Sequence, residues 1–343
     1  MIFKRQPSTL TLTLTSTLMM TLTLTLTLTL TLTLTLKPAL ALPSNATISV
    51  VDDAGARVTL AAPARRVIAL APHITELLFA AGGGAQVVGA MNYSDYPAAA
   101  RALPLVGSDT RIDLERLIAL RPDLLVVWQS GNTARQLEQL KQLGIPLFFS
   151  EPRTLEQVAT SIERLGALLG TGREASVAAG RFRGDIARLR ASQAGRPPVR
   201  VFYQVWDKPI YTLSDGHIVS DAIALCGGVN VFGGIKVTAP SVGIEAVLQQ
   251  NPEAIFGGQQ HDADDIGIAM WQPYQGLLAV QRDNLFRLDG VLLTRPGPRL
   301  ALGVAQLCEK IELARQRRPL PAPSASKRAD KPATNAANKS AMK

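Results

Sequence analysis

The 343-residue sequence is poor in the residue types that build metal sites and catalytic centres. It has two cysteines and three histidines, and no histidine has another histidine or a cysteine at helical spacing. A zinc site needs three or four converging ligands. The phosphate-binding glycine loop, the Gly-x-Ser-x-Gly turn of hydrolases and the His-Glu-x-x-His metalloprotease motif are also absent. These absences argue against a metal-dependent hydrolase, and we expect no catalytic activity, no catalytic cofactor and no resident metal.

Positive charge is scarce where a nucleic-acid-binding protein would need it. The net charge is +9, but three positive charges lie in residues 1–41 and a net four lie in residues 319–343, which leaves +2 for the residues between them. That central part has no basic stripe, so nucleic-acid binding is not expected. Hydrophobic residues make up 47% of the chain, which suits a globular protein with a sizeable core.

The two ends of the chain differ in composition from its centre. Residues 1–5 are a short basic start, a Thr-Leu repeat continues to Leu36, and Ala39-Leu40-Ala41 matches a small-x-small cleavage site. This order predicts a secretory signal peptide over residues 1–41, with an uncleaved membrane anchor or a misassigned start codon as alternatives. Residues 319–343 are rich in Pro, Ala, Ser and Lys, lack aromatic residues, and predict a disordered tail.

Apolar segments alternate with amphipathic ones through the centre of the chain. Arg66–Leu70 and Leu124–Trp128 have the composition of buried strands, whereas the segment from Thr154 to Leu169 has helical periodicity after a capping residue. Such alternation predicts mainly parallel sheets with helices on their faces. One long helix is predicted over residues 171–195, where Gly195 and two prolines end it.

The second half of the chain repeats the first. A Glu-to-Pro spacing of seven residues occurs at 115–122 and again at 245–252, an offset of 130 residues. The fold class is therefore α/β, with two Rossmann-like lobes joined by one long helix. The predicted boundaries are an N-terminal extension over 42–64, an N-terminal lobe over 65–170 and a C-terminal lobe over 196–318.

Aromatic residues are few, and several follow the ends of predicted strands. Tyr96 follows the second strand, Trp128 ends the third, and Trp206 and Tyr211 lie at the end of the second lobe's first strand. His73 follows the first strand. Ligands bind at the carboxyl ends of parallel strands, and flat aromatic surfaces suit a large planar ligand. We predict that these five side chains contact a ligand. The alternative is that they pack between the lobes. For His73 a further alternative is a role as a metal or haem ligand.

Two further pairs invite a functional interpretation. Glu115 and Glu245 each open the equivalent helix of a lobe, where a carboxylate favours the positive helix end. They could instead bind arginines on a two-fold symmetric membrane partner. Cys226 and Cys308 are an even pair in a chain predicted to be exported, so they are either a disulfide or two buried thiols.

Several motifs resemble the cobalamin-binding periplasmic receptors of ABC importers, over about residues 65–315. They are Ala-Pro-x-x-Thr-Glu-Leu at 71–77, Tyr-Ser-Asp-Tyr-Pro at 93–97, Leu-Glu-Arg at 114–116, Trp-x-x-Gly-Asn at 128–132, Leu-Cys-Gly-Gly at 225–228 and Gln-Leu-Cys at 306–308. Haem and siderophore receptors share the strand-turn-helix segments.

The resemblance implies a monomeric periplasmic protein that holds a corrinoid, cobalamin, as a transported ligand and hands it to a permease dimer. It implies aromatic ligand contacts at Tyr96, Trp128 and Tyr211, and a basic residue near the cleft at Arg295. It also implies a bridge between the two cysteines and docking roles for the two glutamates.

Three positions depart from the family pattern. Asp109 and Ala239 stand where the family can carry a Trp, and His73 stands where the better-known receptor has a small residue. A haem or iron-siderophore protein of the same class is therefore the alternative. In that case His73 and Tyr96 are the candidate iron ligands. A sensor domain that works without a transporter is a further alternative.

Overall fold

The computed structural model describes residues 47–108, 111–259 and 267–319. The predicted signal peptide lies outside these ranges, and so does the predicted tail apart from Pro319. Both sheets described below belong to one compact unit that begins at Thr47. Among the described residues, no helix combines the length and apolarity that crossing a membrane requires.

The chain enters the first lobe through an antiparallel hairpin of β1 (Ile48–Val51) and β2 (Arg57–Leu60). Asp52 closes its turn by accepting the backbone N–H groups of Ala54 and Ala56. Its other carboxylate oxygen accepts the N–H of Phe149, which fixes the hairpin to the first sheet. This hairpin was not predicted from the sequence.

The first lobe is a four-stranded parallel sheet in the order β4-β3-β5-β6, with helices between the strands. Its elements are β3 (Val67–Ala69), α1 (Pro72–Ala80), β4 (Val87–Ala90), α2 (Leu114–Ala119), β5 (Leu124–Trp128), α3 (Ala134–Gln142), β6 (Leu147–Ser150) and α4 (Leu155–Leu169), with short 3-10 helices at Gly84–Gln86 and Ala98–Ala102.

Local sequence explains where these helices begin. Asp113 accepts the N–H of Arg116 at the start of α2. Thr133 and Thr154 each form a reciprocal capping box, with a glutamine three residues on, at the starts of α3 and α4. The strands themselves are almost wholly buried, since helices cover both faces of a parallel sheet.

The connection between the lobes is α5 (Gly172–Gln193), a single helix of 22 residues. It packs along α4, where Gly166 is needed because a Cβ there would lie 2.2 Å from the Cβ of Ala175. Arg183 on α5 makes a two-pronged ion pair with Glu163 on α4. The predicted linking helix is present within two residues of its predicted bounds.

The second lobe has a parallel sheet in the order β10-β7-β11-β12 and a small hairpin, β8-β9. Its elements are β7 (Val199–Gln204), β8 (Trp206–Asp207), β9 (Ile210–Tyr211), α6 (Ile218–Leu225), β10 (Gly228–Asn230), α7 (Ile244–Gln250), β11 (Ala254–Gln259), α8 (Leu278–Gln281), β12 (Leu285–Asp289), α9 (Gly290–Thr294) and α10 (Leu300–Gln316), with a 3-10 helix at Gly267–Trp271.

The two lobes share one design. Across each sheet, the strands lie in the order 2-1-3-4 when they are numbered by their order in the chain. The helices α2 and α7 begin 130 residues apart, at Leu114 and Ile244, and the strands β5 and β11 begin at the same offset, at Leu124 and Ala254. The two-lobed α/β fold predicted from the repeat is thereby confirmed.

Two details concern residues singled out in the sequence. The sequence predicted that Trp206 ends β7, and this prediction is wrong. Strand β7 stops at Gln204, and Trp206 pairs with Tyr211 in the β8-β9 hairpin.

The disulfide expected from the resemblance is formed between Cys226, which follows α6, and Cys308 on α10. It links segments 82 residues apart in the second lobe.

Candidate ligand-binding site

The candidate site begins at the carboxyl edge of the first sheet. Strands β3, β4 and β5 run parallel as neighbours, so the segments that follow them emerge at one edge. These segments carry His73 at the start of α1, the loop over residues 91–97, and Trp128 as the last residue of β5. The topology therefore gathers three of the predicted contact regions in one place.

Trp128 is the exposed end of an otherwise buried strand. The side-chain amide of Asn132 donates a hydrogen bond to the Trp128 carbonyl (2.6 Å), which tightens the turn beyond the strand. The indole lies against Gly131, where a Cβ would stand only 1.9 Å from Cε3 of the ring. The Trp-x-x-Gly-Asn motif is thus a local device that sets the indole's position.

His73 lies inside the protein, in contact with this indole. The two rings meet at 85° with their centroids 5.5 Å apart. Among the described residues, no group hydrogen-bonds the buried Nε2 atom of His73. Burial, and secondarily the positive charge of Arg295, lower the pKa of His73 to about 3. The imidazole is therefore neutral near pH 7, and it supports Trp128 from the protein side.

The loop after β4 holds Tyr96 at the surface. Thr75 on α1 donates a hydrogen bond from Oγ1 to Oγ of Ser94 (3.0 Å), so the loop is tied to the helix beside it. The peptide bond between Tyr96 and Pro97 is cis, and Tyr93 has a positive φ of 64°. Tyr96 is exposed, whereas Ser94, two residues before it, is buried.

Two arginines from the second lobe reach this loop. Arg295 donates a hydrogen bond to the carbonyl of Tyr93 (3.3 Å) and lies 3.5 Å from the carboxylate of Asp95. Arg299 pairs with Glu76 on α1, and its guanidinium lies 4.1 Å from the centroid of the Tyr96 ring. Arg295 and Arg299 thus connect the second lobe to this loop and to helix α1 of the first lobe.

The second lobe presents its own aromatic pair. Trp206 and Tyr211 are directly opposite each other in the β8-β9 hairpin, and the Trp206 indole N–H donates to the carbonyl of Lys208 (3.2 Å). The hairpin is anchored by the Thr212 hydroxyl, which donates to the carbonyl of Tyr203 (2.7 Å). Across the described residues, no hydrogen bond or ring contact connects this pair to the first lobe's aromatic residues.

Exposure distinguishes these aromatic side chains from the core. The relative exposures are 44% for Tyr96, 37% for Trp128, 47% for Trp206 and 38% for Tyr211, whereas Trp271 is fully buried. An aromatic side chain buries a large apolar area when a ligand covers it. The four exposed rings are therefore available to a ligand.

The predicted docking glutamates occupy matching positions. Glu115 and Glu245 are each the second residue of their helices, α2 and α7, and both are exposed. Within the ranges that the structure covers, neither carboxylate has an ion-pair partner. Both carboxylates are thus free to accept a partner's cation.

Sequence reasoning missed Glu76 and Arg299. Glu76 lies in the Thr-Glu-Leu motif, which served only to support the resemblance. Arg299 lies four residues after Arg295, which was the basic residue singled out. The sequence signal for them was Glu76, because a glutamate on the buried face of an apolar helix requires a charged partner.

Among the described residues, no three His, Cys, Asp or Glu side chains converge as a metal site would require.

Comparison with known proteins settles the family. The family model described as "Periplasmic binding protein" matches residues 67–292, which extend from the first lobe through the linking helix and into most of the second lobe. The chain belongs to the periplasmic binding protein family. Its membership agrees with the fold class and with the resemblance seen in the motifs.

Individual relatives of this periplasmic binding protein are more specific. It is 40% identical over 255 residues to the vitamin B12-binding protein of Vibrio cholerae serotype O1, a match that spans 74% of this chain and 91% of the relative. The crystal structure of the periplasmic vitamin B12 binding protein BtuF of Vibrio cholerae matches with a TM-score of 0.68 and 40% identity, covering 74% of this chain and 99% of that one.

A more distant match shows how widely the fold is used. The periplasmic heme-binding protein RhuT from Roseiflexus sp. RS-1 has a TM-score of 0.63 and 24% identity, and the match covers 74% of this chain and 99% of that one. At this identity the likeness concerns the fold alone. Of the three positions that depart from the B12-receptor pattern, His73 is buried, Ala239 is exposed and Asp109 lies outside the described residues.

Proposed function

We propose that this protein captures a corrinoid, cobalamin, between its two lobes and delivers it to the permease of an ABC importer. The observation that carries the proposal is the set of four exposed aromatic side chains, Tyr96, Trp128, Trp206 and Tyr211. Two come from each lobe. Rings of this kind suit a ligand with a broad, flat, largely apolar body.

The relatives support this ligand class. Proteins named as vitamin B12-binding share 40% of their residues with this chain over nearly their whole length. The aromatic positions of the first lobe lie in motifs that are tied down locally, by Gly131 and Asn132 around Trp128. Arg295 supplies a positive group beside Asp95 at the junction of the lobes.

The same proposal covers location and domain organisation. Membership of the family implies the periplasm, and residues 1–41 would be the cleaved signal that takes the protein there. The lobes would be residues 65–170 and 196–318, with 171–195 as the linking helix. One continuous helix between lobes should allow less hinge motion than flexible strands would.

Transport requires a partner in the membrane. We propose that Glu115 and Glu245 contact arginines on the two subunits of a permease dimer, with the binding protein acting as a monomer. The two carboxylates are exposed and occupy equivalent positions in the two lobes. A pseudo-symmetric pair of carboxylates matches a partner that has two-fold symmetry.

One observation favours a second candidate, a haem or iron-siderophore binding protein. His73 is a neutral, buried imidazole, and among the described residues its Nε2 atom has no hydrogen-bond partner. A neutral imidazole nitrogen is a good ligand for iron. In the present arrangement Trp128 packs on that ring, so the indole would have to move before iron could reach it.

The two candidates separate in one experiment. The full chain is expressed with its own N-terminus, purified from the periplasm, and titrated by calorimetry with cyanocobalamin and, separately, with haemin. Tight one-to-one binding of cyanocobalamin supports the corrinoid proposal. Binding of haemin with a Soret band, and none of cyanocobalamin, replaces it with the second candidate. The mass of the purified protein also tests cleavage near Ala41.

A further inference from the structure

Among the described residues, two ion pairs join the lobes at the candidate site, and the one between Arg299 and Glu76 has the shorter contact. Arg299 donates from Nη2 to Oε1 of Glu76 (2.5 Å) and from Nε to Oε2 (3.0 Å), so both carboxylate oxygens are engaged. Glu76 is on α1 of the first lobe, and Arg299 precedes α10 of the second lobe, 223 residues away in sequence. The side chain of Glu76 is only 2% exposed.

The approach of the two chains at this point is close. A Cβ on Gly297 would stand 3.2 Å from Oε2 of Glu76 and 3.4 Å from its Cβ, so the backbone before Arg299 packs directly on the glutamate. The hydrogen bonds that Arg299 donates to Glu76, together with the negative charge of that carboxylate, raise the pKa of Arg299 above its ordinary value. The guanidinium therefore remains charged and fixed in one orientation.

The Tyr96 ring lies against a face of that guanidinium. The ring centroid lies 4.1 Å from the guanidinium carbon, which is the geometry of a cation–π contact. Tyr96 belongs to the first lobe and Arg299 to the second, so the exposed ring rests on a group from the opposite lobe. The position of the Tyr96 ring therefore depends on how the two lobes are arranged, as well as on the conformation of its own loop.

We infer that Arg299, held by Glu76, is the residue that positions Tyr96 for ligand binding and couples that ring to the arrangement of the two lobes. The inference rests on the proposed function for its ligand. It adds two residues that do not themselves need to touch the ligand. Arg299 is therefore a positioning residue, and its effect on affinity should pass through Tyr96.

The test is a comparison of four proteins: the wild type, Tyr96→Ala, the double variant Glu76→Met with Arg299→Met, and the triple variant. Replacing both members of a buried pair avoids leaving one charge without a partner. The dissociation constant for cyanocobalamin is measured by calorimetry. We expect the double variant to bind about tenfold more weakly, which is the range of one cation–π contact, and the triple variant to match Tyr96→Ala within about twofold.

A matched control uses another two-pronged pair, between Arg183 and Glu163. Its distances are 2.5 and 2.9 Å, but it joins α5 to α4 away from the aromatic side chains. The double variant Glu163→Met with Arg183→Met should keep wild-type affinity. Wild-type affinity in the Glu76→Met and Arg299→Met variant would overturn the inference, as would an equal loss with and without Tyr96.

A conservative variant and a ligand-free measurement keep the inference testable. Arg299→Lys retains a cation but lacks the planar fork, so we expect an affinity between those of the wild type and the Met variant. In a protein that already carries Tyr96→Ala, Arg299→Lys should cause no further loss of affinity. Hydrogen exchange over residues 91–97 of the unliganded protein should be at least about tenfold faster in the Met variant and unchanged in the control variant.

The two proposals can fail separately. Failure of the wild type to bind cyanocobalamin counts against the proposed function, and the cycle is then run with haemin. Unchanged exchange over residues 91–97 overturns the positioning role whichever ligand binds.

Discussion

His73 and Trp128 form a perpendicular ring pair in which the imidazole is buried and the indole is exposed. The two residues come from neighbouring parallel strands, since His73 follows β3 and Trp128 ends β5. The pair shows how the first lobe presents an aromatic surface. A buried ring and a glycine hold the exposed ring at the edge of the sheet.

The first prediction concerns the orientation of this indole. Gly131→Ala should displace Trp128, because the new Cβ would stand 1.9 Å from Cε3 of the ring. We expect ligand affinity to fall nearly as far as in Trp128→Ala, by roughly 2 kcal/mol or about thirtyfold in Kd. Calorimetric titration with the ligand identified for the wild type measures both variants.

Gly180→Ala is the control for this substitution. Gly180 is an exposed glycine within α5, and nothing lies within 4 Å of a Cβ placed there. Alanine should leave affinity unchanged and stabilise the helix by up to about 1 kcal/mol. If Gly131→Ala bound ligand as well as Gly180→Ala does, the indole would not be part of the site.

The second prediction concerns pH. Burial lowers the pKa of His73 to about 3, whereas an unfolded histidine titrates near 6.5. The unfolded state then binds more protons between these values, so the free energy of unfolding is highest above pH 6.5 and falls as pH falls towards 3. Between pH 7.5 and pH 5.0 this group should cost about 2 kcal/mol of stability.

Denaturant unfolding at the two pH values checks this loss. His73→Leu should lose about 2 kcal/mol less than the wild type between pH 7.5 and pH 5.0. His217, whose pKa burial lowers to about 4, should contribute in the same direction in both proteins, so it cancels in the comparison. Identical pH dependence in the two proteins would show that His73 is not the buried neutral group described above.

The third prediction concerns the disulfide between Cys226 and Cys308. It closes a segment of 82 residues, which in the chain-entropy model adds about 4–5 kcal/mol by restricting the unfolded chain. Cys226→Ser with Cys308→Ser should therefore lower the melting temperature by roughly 8 °C for a folded unit of this size. Differential scanning calorimetry with and without reductant measures the change.

Reductant should affect only the wild type. The structure has no free cysteine besides this pair, and the chain has two cysteines in all. A melting temperature that dropped with reductant in the double serine variant as well would mean that reductant acts by another route. Ligand affinity should be retained in that variant, because the bridge is within the second lobe and joins α6 to α10.

The fourth prediction separates docking from binding. Glu115→Gln and Glu245→Gln should leave the dissociation constant for the ligand unchanged, since both side chains are exposed on helices α2 and α7. Uptake in cells should fall by tenfold or more when both are replaced, because each charged contact to a partner is typically worth about 1–3 kcal/mol. Radiolabelled ligand uptake is the measurement.

Glu138→Gln is the matched control for the docking variants. Glu138 is an exposed helical glutamate on α3, where its only described ion-pair partner is Lys141 on the same helix. Its replacement should change neither affinity nor uptake. Full uptake in the double glutamine variant would exclude these two glutamates as the contacts with the permease.

Much of the fold followed from local sequence patterns. Thr154 was predicted to open a helix and does so, because a side chain that caps a helix acts on backbone groups two or three residues away. The repeat of the Glu-to-Pro spacing at 115–122 and 245–252 likewise predicted two lobes of one design, and the two sheets share their strand order.

Elsewhere local patterns were not sufficient. The sequence placed Trp206 at the end of β7, but the strand stops two residues earlier and the Trp begins a hairpin. Nothing local fixes where a strand of apolar residues ends; the end depends on which neighbouring strand continues beside it. The β1-β2 hairpin was missed because its alternation is short and half exposed.

The sequence by itself determined the class of fold and the family, because these depend on periodicity and on short motifs. Only the tertiary structure decided that His73 is a buried support for Trp128, and that Arg299 of one lobe holds Glu76 and Tyr96 of the other. Those contacts join residues as far as 223 positions apart in the chain. Burial and pairing at such separations arise from the packing of whole lobes, which no local pattern encodes.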